Sequence, residues 1–215
     1  MSRERKLLLA AIVLSGAGYL LVMAEGNTMM RWILKPGTIL LIIGLVATMR
    51  DVAKTYRNLV IAGLLLSAIG DCFLLLAGDK WFVLGLSSFL FAHVVYFAAF
   101  VTRWQGLSFY RLIALIPISV YSVWLLSGLH KGIYNGGDTG LWLPVLVYVI
   151  VISSMIWSAV ISGSRIAVAG AIVFFVSDSL LAWNMFVSPI AGAGYGVMIT
   201  YYAAQFMIAK SIESR

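Results

Sequence analysis

Charge is scarce in this chain: only 11% of its 215 residues are Asp, Glu, Lys or Arg, against about 25% in a soluble domain. Apolar residues reach 62%, above the roughly 45–50% of soluble proteins, and they arrive in runs long enough to cross a hydrocarbon core. A water-soluble globular fold is therefore excluded. Cysteine is nearly absent. The single Cys72 rules out an intramolecular disulfide and a cysteine-based zinc cage, and its place inside an apolar run suits a small packing residue rather than a reactive thiol. Histidine is limited to His93 and His130, few for a zinc site, which often takes more than one. No internal repeat and no shift in composition marks a second domain, so residues 1–215 read as a single transmembrane domain.

What is present is a series of eight apolar segments, at about 7–23, 32–49, 58–76, 81–101, 110–127, 140–161, 166–187 and 190–208. Each is near the roughly 20 residues a helix needs to span a bilayer, so the expected fold is all-α, a bundle of eight transmembrane helices. Gly26-Asn27, Gly78-Asp79, Asn135-Gly136-Gly137 and Ser188-Pro189 supply the breaks. The first run follows Arg3, Arg5 and Lys6 as a signal peptide would, but it lacks a convincing small-residue cleavage site and is read as the first helix.

The basic residues carry topological information. If the N-terminus is cytoplasmic, Arg3, Arg5, Lys6, Arg50, Lys54, Arg57, Arg103, Arg111, Arg165, Lys210 and Arg215 fall inside, and Arg31, Lys35, Lys80 and Lys131 fall on the other side. Eleven against four predicts both termini in the cytoplasm, and an even number of spans is consistent with that. The net charge of +7 is thereby explained by loops at a membrane surface, and no nucleic acid is implied.

Two carboxylates stand out because they lie inside apolar spans. Asp71 and Asp178 each cost about 2.5–3.5 kcal/mol on insertion scales, which is large beside a total stability of about 5–15 kcal/mol. Counted along the spans, both fall in the outer half of the membrane, Asp71 five residues and Asp178 nine residues from the outer ends of their segments. They are expected to face one polar pocket. Lys35, placed within a turn of the outer end of the second span, either snorkels to the interface or joins that pocket. His93 and Tyr96 share a face of the fourth span with Phe89 and Phe100. His93 is either a hydrogen-bonded packing residue or part of the site. Tyr201 and Gln205, one turn apart in the last span, suit a substrate head group and an interhelical bond equally. Asn184 shares a face with Ser177 and is expected to line the cavity from another angle than Asp178. The Gly192-Ala193-Gly194-Tyr195-Gly196 run reads as close helix packing.

Taken together, Lys35-Pro36, Gly70-Asp71, Phe91-Ala92-His93-Val94-Val95-Tyr96, Ser177-Asp178-Ser179 and Tyr201-Tyr202-Ala203-Ala204-Gln205 resemble the YhhN family of membrane lysoplasmalogenases in order, spacing and placement over nearly the whole chain. The resemblance implies hydrolysis of the vinyl ether bond of a lysoplasmalogen, a lysophospholipid, to a fatty aldehyde and a glycerophospho head group, in a bacterial inner membrane. The residues suit that chemistry. Protonation of the β-carbon of a vinyl ether creates an oxocarbenium-like cation, which water then captures. One carboxyl group, kept protonated by apolar surroundings, donates the proton, and a second, ionised, stabilises the cation and orients water. Asp71 and Asp178 are the expected pair, with Lys35, His93, Tyr96, Asn184, Tyr201 and Gln205 around the substrate. Neither a metal nor another cofactor is required. Two alternatives are a metal-dependent lipid hydrolase using Asp71, His93 and Asp178 as ligands, with His130 set aside in a loop, and a proton-coupled transporter.

Overall fold

The computed structural model describes residues 2–49 and 52–214, so Arg50 and Arg215 of the basic set lie outside the described residues. Among the described residues nine α-helices follow one another: α1 Arg3–Glu25, α2 Thr28–Ala47, α3 Lys54–Leu74, α4 Asp79–Val101, the short α5 Phe109–Ile113, α6 Leu115–Gly136, α7 Trp142–Ser162, α8 Arg165–Phe186 and α9 Ala193–Lys210. A single 3-10 turn, Thr139–Leu141, leads into α7, and there is no strand among the described residues. Seven helical segments among the described residues are long and apolar enough to cross a membrane, with α5 and α6 counted as one. This is an integral membrane protein. The eighth long helix, α9, falls outside that set, since Tyr201, Tyr202, Gln205 and Lys210 dilute its 18 residues.

Local signals account for where the helices stop. Gly26 takes a left-handed φ of 74° and its N–H bonds Val22 O, while the next residue, Asn27, accepts a bond from Met30 N at 3.1 Å and starts α2. Gly163 and Ser164 repeat the device between α7 and α8: φ of 75° at the glycine, then a serine side chain accepting from Ala167 N. Both connections reverse the chain within two residues, so successive helices lie antiparallel. Close neighbours are α1 with α2, α2 with α3, α3 with α4, α4 with α7, α6 with α7 and α8, and α8 with α9.

Three details differ from the sequence reading. Helix α2 begins at Thr28, so Lys35 sits seven residues inside it, about two turns deep. The fifth span continues past residue 127 to Gly136, which places His130 in a helix and not in a loop. There its ring stacks on Tyr134 at 4.3 Å and meets the edge of Trp142 at 4.7 Å. Helix α8 ends at Phe186 and α9 starts at Ala193, so Ser188-Pro189 belongs to a six-residue connection, 187–192, and is not the whole of it.

Helices approach most closely at glycine. A Cβ at Gly63 would lie 2.7 Å from Tyr96 Cδ1, and one at Gly70 would lie 2.7 Å from Phe89 Cε2, which draws α3 onto α4. At Gly196 a Cβ would meet Leu180 at 2.6 Å, in keeping with the packing role expected of the glycine run. At the end of the bundle holding both termini, Arg103 donates to Ser211 O, Ser214 O and Ile212 O at 2.7–2.8 Å and lies 3.6 Å over the Tyr56 ring. These bonds satisfy carbonyls that the end of α9 leaves open. Arg5 does the same for Thr48 O and also pairs with Glu213, whose carboxyl is held below its ordinary range first by the Lys210 ammonium.

Gly132 gives a test of the packing. A Cβ there would come within 2.7 Å of the Phe186 carbonyl carbon, backbone that has no flexible side chain to move aside. Gly132→Ala is expected to destabilise the protein by about 1–3 kcal/mol, while Gly140→Ala, which meets nothing within 4 Å, leaves the unfolding midpoint in detergent unchanged.

Candidate active site

The cavity of interest occupies the end of the bundle away from the termini. Its walls come from the C-terminal halves of α1, α3, α6 and α8 and the N-terminal halves of α2, α4, α7 and α9, which antiparallel packing brings to the same level. It encloses about 340 Å³, within reach of the roughly 300 Å³ and above typical of ligand pockets. Leu125, Leu129, Val149, Ile152, Phe175 and Phe186 make one side apolar. Asp71 and Asp178 both line it, as do Lys35, Asn184 and Tyr201.

The two carboxyl groups have different surroundings. Asp71 is 1% exposed, with Lys35 Nζ at 3.3 Å from Oδ1 and Tyr201 Oη donating to Oδ2 at 2.8 Å. Lys35 is itself 7% exposed, so it does not snorkel to the interface. Three helices are tied at this point, α2, α3 and α9. An ion pair in so apolar a setting persists because each partner removes the other's uncompensated charge and Tyr201 satisfies a remaining lone pair.

Asp178 is partly open to the cavity, its side chain 16% exposed. Oδ2 accepts from Tyr148 Oη at 2.7 Å and lies 3.0 Å from His93 Nε2, and the phenol and imidazole are 3.0 Å apart. His93 is fully buried, with its ring 4.6 Å from that of Phe174 and edge-on to it. Its Nδ1 has no hydrogen-bond partner among the described residues. A bare Nδ1 suits a lone pair facing apolar atoms and puts the ring hydrogen on Nε2, directed at Asp178.

Three of the residues expected around a substrate are not on the cavity wall. Tyr96 and Gln205 are both fully buried, and Tyr96 Oη donates to Gln205 Oε1 at 2.7 Å, an interhelical bond between α4 and α9. His93 likewise stands behind Asp178 and does not line the cavity. Asn184 lines it but also braces the α8–α9 connection, accepting from Ile190 N at 2.8 Å. The alternative ligand set is not assembled either: Asp71 goes with Lys35 and Tyr201, His93 with Asp178 and Tyr148, and no group of three or more His, Cys, Asp or Glu forms among the described residues.

Tyr148 and Tyr19 also line the cavity, and neither is among the residues expected there from the sequence. The signal for Tyr148 was its depth: it lies six residues inside α7, further in than the interfacial belt where tyrosines normally gather.

Fold and site together define a class: an integral membrane protein with a carboxyl-bearing cavity embedded among its helices. The chain belongs to the YhhN family, whose model matches residues 30–212. It is 34% identical over 168 residues to lysoplasmalogenase TMEM86A of Bos taurus, covering 73% of this chain and 66% of that protein. It is 33% identical over 156 residues to lysoplasmalogenase TMEM86B of Homo sapiens, covering 73% and 64%. With a lysoplasmalogenase of Mycobacterium bovis it shares 30% over 157 residues, covering 71% and 59%. The chain thus spans about two thirds or less of the length of these relatives. No solved structure matches it.

Because Asp71 is buried opposite Lys35, Lys35→Met is expected to cost about 3–5 kcal/mol by stranding a carboxylate. Lys35→Met combined with Asp71→Asn should recover most of that loss. Denaturant unfolding in detergent micelles checks this, and equal losses in the single and double variants would contradict the stranded carboxylate as the cause.

Proposed function

We propose that this protein is a lysoplasmalogenase-like membrane hydrolase that cleaves the vinyl ether bond of a lysophospholipid to a fatty aldehyde and a glycerophospho head group, with Asp71 and Asp178 as its working acids. The observation that carries this reading is the presence of both carboxyl groups on one cavity whose other side is apolar. The relatives' names, lysoplasmalogenases in mammals and mycobacteria, support the substrate class.

The substrate's shape explains the setting. A lysolipid has one long chain that needs an apolar wall and a polar head that stays near the interface. Its reactive bond lies next to the glycerol, a short way below the head group. Asp71 is three residues from the end of α3, about 4.5 Å by helical rise, which is the corresponding depth. In the reaction one carboxyl group gives a proton to the β-carbon of the vinyl ether, and the other remains an anion that steadies the oxocarbenium ion and the incoming water. Glycosidases divide the labour of two carboxyl groups around a similar cation, an analogy of mechanism and not of fold.

In the same proposal α9 is the eighth span. It lies along α8 and carries Tyr201 into the cavity, which a helix outside the bundle would not do. The excess of Lys and Arg at the terminal end supports an orientation with both termini in the cytoplasm, and the same proposal has the cavity in the outer half of a bacterial inner membrane.

The test is to give purified protein a vinyl ether lysolipid and its acyl-ester analogue and to measure aldehyde and fatty acid separately. Aldehyde from the first and no fatty acid from the second is expected. Asp71→Asn and Asp178→Asn should each lower aldehyde release by about 10²-fold or more while eluting as the wild type does. Full activity in either variant rejects the carboxyl pair, and fatty acid without aldehyde redirects the protein to ester hydrolysis.

A further inference from the structure

The two acids are not equivalent, and the difference assigns their roles. Asp71 has both oxygens engaged, Oδ1 by the Lys35 ammonium and Oδ2 by the Tyr201 hydroxyl, and, although it lines the cavity, is almost fully buried. A group held in this way is a fixed negative charge. On Asp178 both contacts, Tyr148 and His93, fall on Oδ2, and Oδ1 has no hydrogen bond from the described residues. With 16% of the side chain exposed on the cavity wall, Oδ1 is the carboxyl oxygen that a substrate can reach.

We infer that Tyr148 is a positioning residue that makes Asp178, and not Asp71, the acid that transfers the proton. The inference rests on the vinyl ether reading above. Tyr148 donates to Oδ2, and His93, fully buried with its Nδ1 bare, presents the Nε2 hydrogen to the same oxygen. Two donors on one oxygen fix the plane of the carboxyl group and leave Oδ1 turned outward. They also hold the charge that appears on the carboxylate once its proton has gone.

The step balances without any other reagent than water. The Asp178 Oδ1–H bond breaks, and the π pair of the vinyl ether takes that proton at the β-carbon, leaving a cation shared by the α-carbon and the ether oxygen. Asp71, paired with Lys35, lines the same cavity and supplies the negative charge to it. Water adds to the α-carbon and returns a proton to the Asp178 carboxylate. The hemiacetal then breaks its bond to the glycerol oxygen, which ends protonated as the alcohol while the former hydroxyl becomes the aldehyde carbonyl. Tyr148 gains and loses no proton overall.

Tyr148→Phe removes the hydroxyl and keeps the ring. Relative to wild type on a vinyl ether lysolipid, kcat is expected to fall about ten- to a hundredfold, KM to stay within about threefold, and the solvent deuterium isotope effect on kcat to rise, because proton transfer becomes slower relative to the other steps. Tyr201→Phe, the matching change beside Asp71, should lower turnover without raising the isotope effect. A smaller active fraction alone would leave the isotope effect unchanged. Wild-type aldehyde release is measured first, and its absence rejects the hydrolase reading itself. If wild type turns over and Tyr148→Phe matches it in kcat and isotope effect, or if the isotope effect rises in Tyr201→Phe instead, the assignment to Tyr148 and Asp178 is overturned. Should Tyr148→Phe fail to fold, His93→Leu, which removes the other donor to the same oxygen, decides: a raised isotope effect supports the assignment and a wild-type one overturns it.

Discussion

A buried lysine facing a buried aspartate, Lys35 Nζ to Asp71 Oδ1 at 3.3 Å, is the constraint around which this bundle is arranged. Either charge alone among apolar helices would be costly, and the cost falls only when α2 and α3 are held in one relative position. Tyr201 adds α9 to the same point through its bond to Asp71. The arrangement fixes the upper part of the cavity, because Lys35, Asp71 and Tyr201 form its wall while they bond one another. Stability and site therefore share residues. A second set, Asp178 with Tyr148 and His93, joins α8 to α7 and α4 in the same manner, but leaves one carboxyl oxygen open to the cavity.

The two ends of the bundle do different work. At the end with the termini, Arg5 and Arg103 bond the carbonyls that close α2 and α9, and Tyr56 joins Ser211 at 2.6 Å. Polar atoms there are consumed in finishing helices. At the other end, the tight turn at Gly26-Asn27 has already set the direction of α1 and α2, and the space between helices is left as a hollow. Between these ends, Tyr96 and Gln205 bond each other in full burial and knit α4 to α9 below the cavity. The inferred lipid site is thus supported from beneath by a polar pair that takes no part in lining it.

Much of this was legible from composition and depth, because the expense of a charge in hydrocarbon does not depend on knowing its partner. Asp71, Asp178 and Lys35 stood out on that ground, and the hollow holds all three. Partner choice was not legible. Nothing in the order of residues says that Gln205 meets Tyr96 while Tyr201, one turn away on the same helix, meets Asp71; that depends on which neighbour each face of α9 encounters. Tyr148 carries no such mark, since a tyrosine in an apolar run costs far less than a charge, and only its depth in α7 sets it apart from an interfacial anchor. His130 was misplaced for a different reason. Polar residues ended the apolar run of the fifth span, but α6 continues for several residues beyond it, with His130 stacked on Tyr134, until Gly137 turns left-handed.

The central claim is that Asp71 and Asp178 share one hollow that receives a single-chain lipid at its reactive bond. The most direct measurement is the structure, by electron cryo-microscopy, of the protein with a saturated ether lysolipid that binds but has no vinyl bond to protonate. The account predicts the second chain carbon from the ether oxygen within about 3.5 Å of the Asp178 carboxyl group, with the chain against Leu129, Val149 and Ile152 and the head group toward the open end. Lipid density confined to the outer surface of the helices, with the hollow empty, would contradict it.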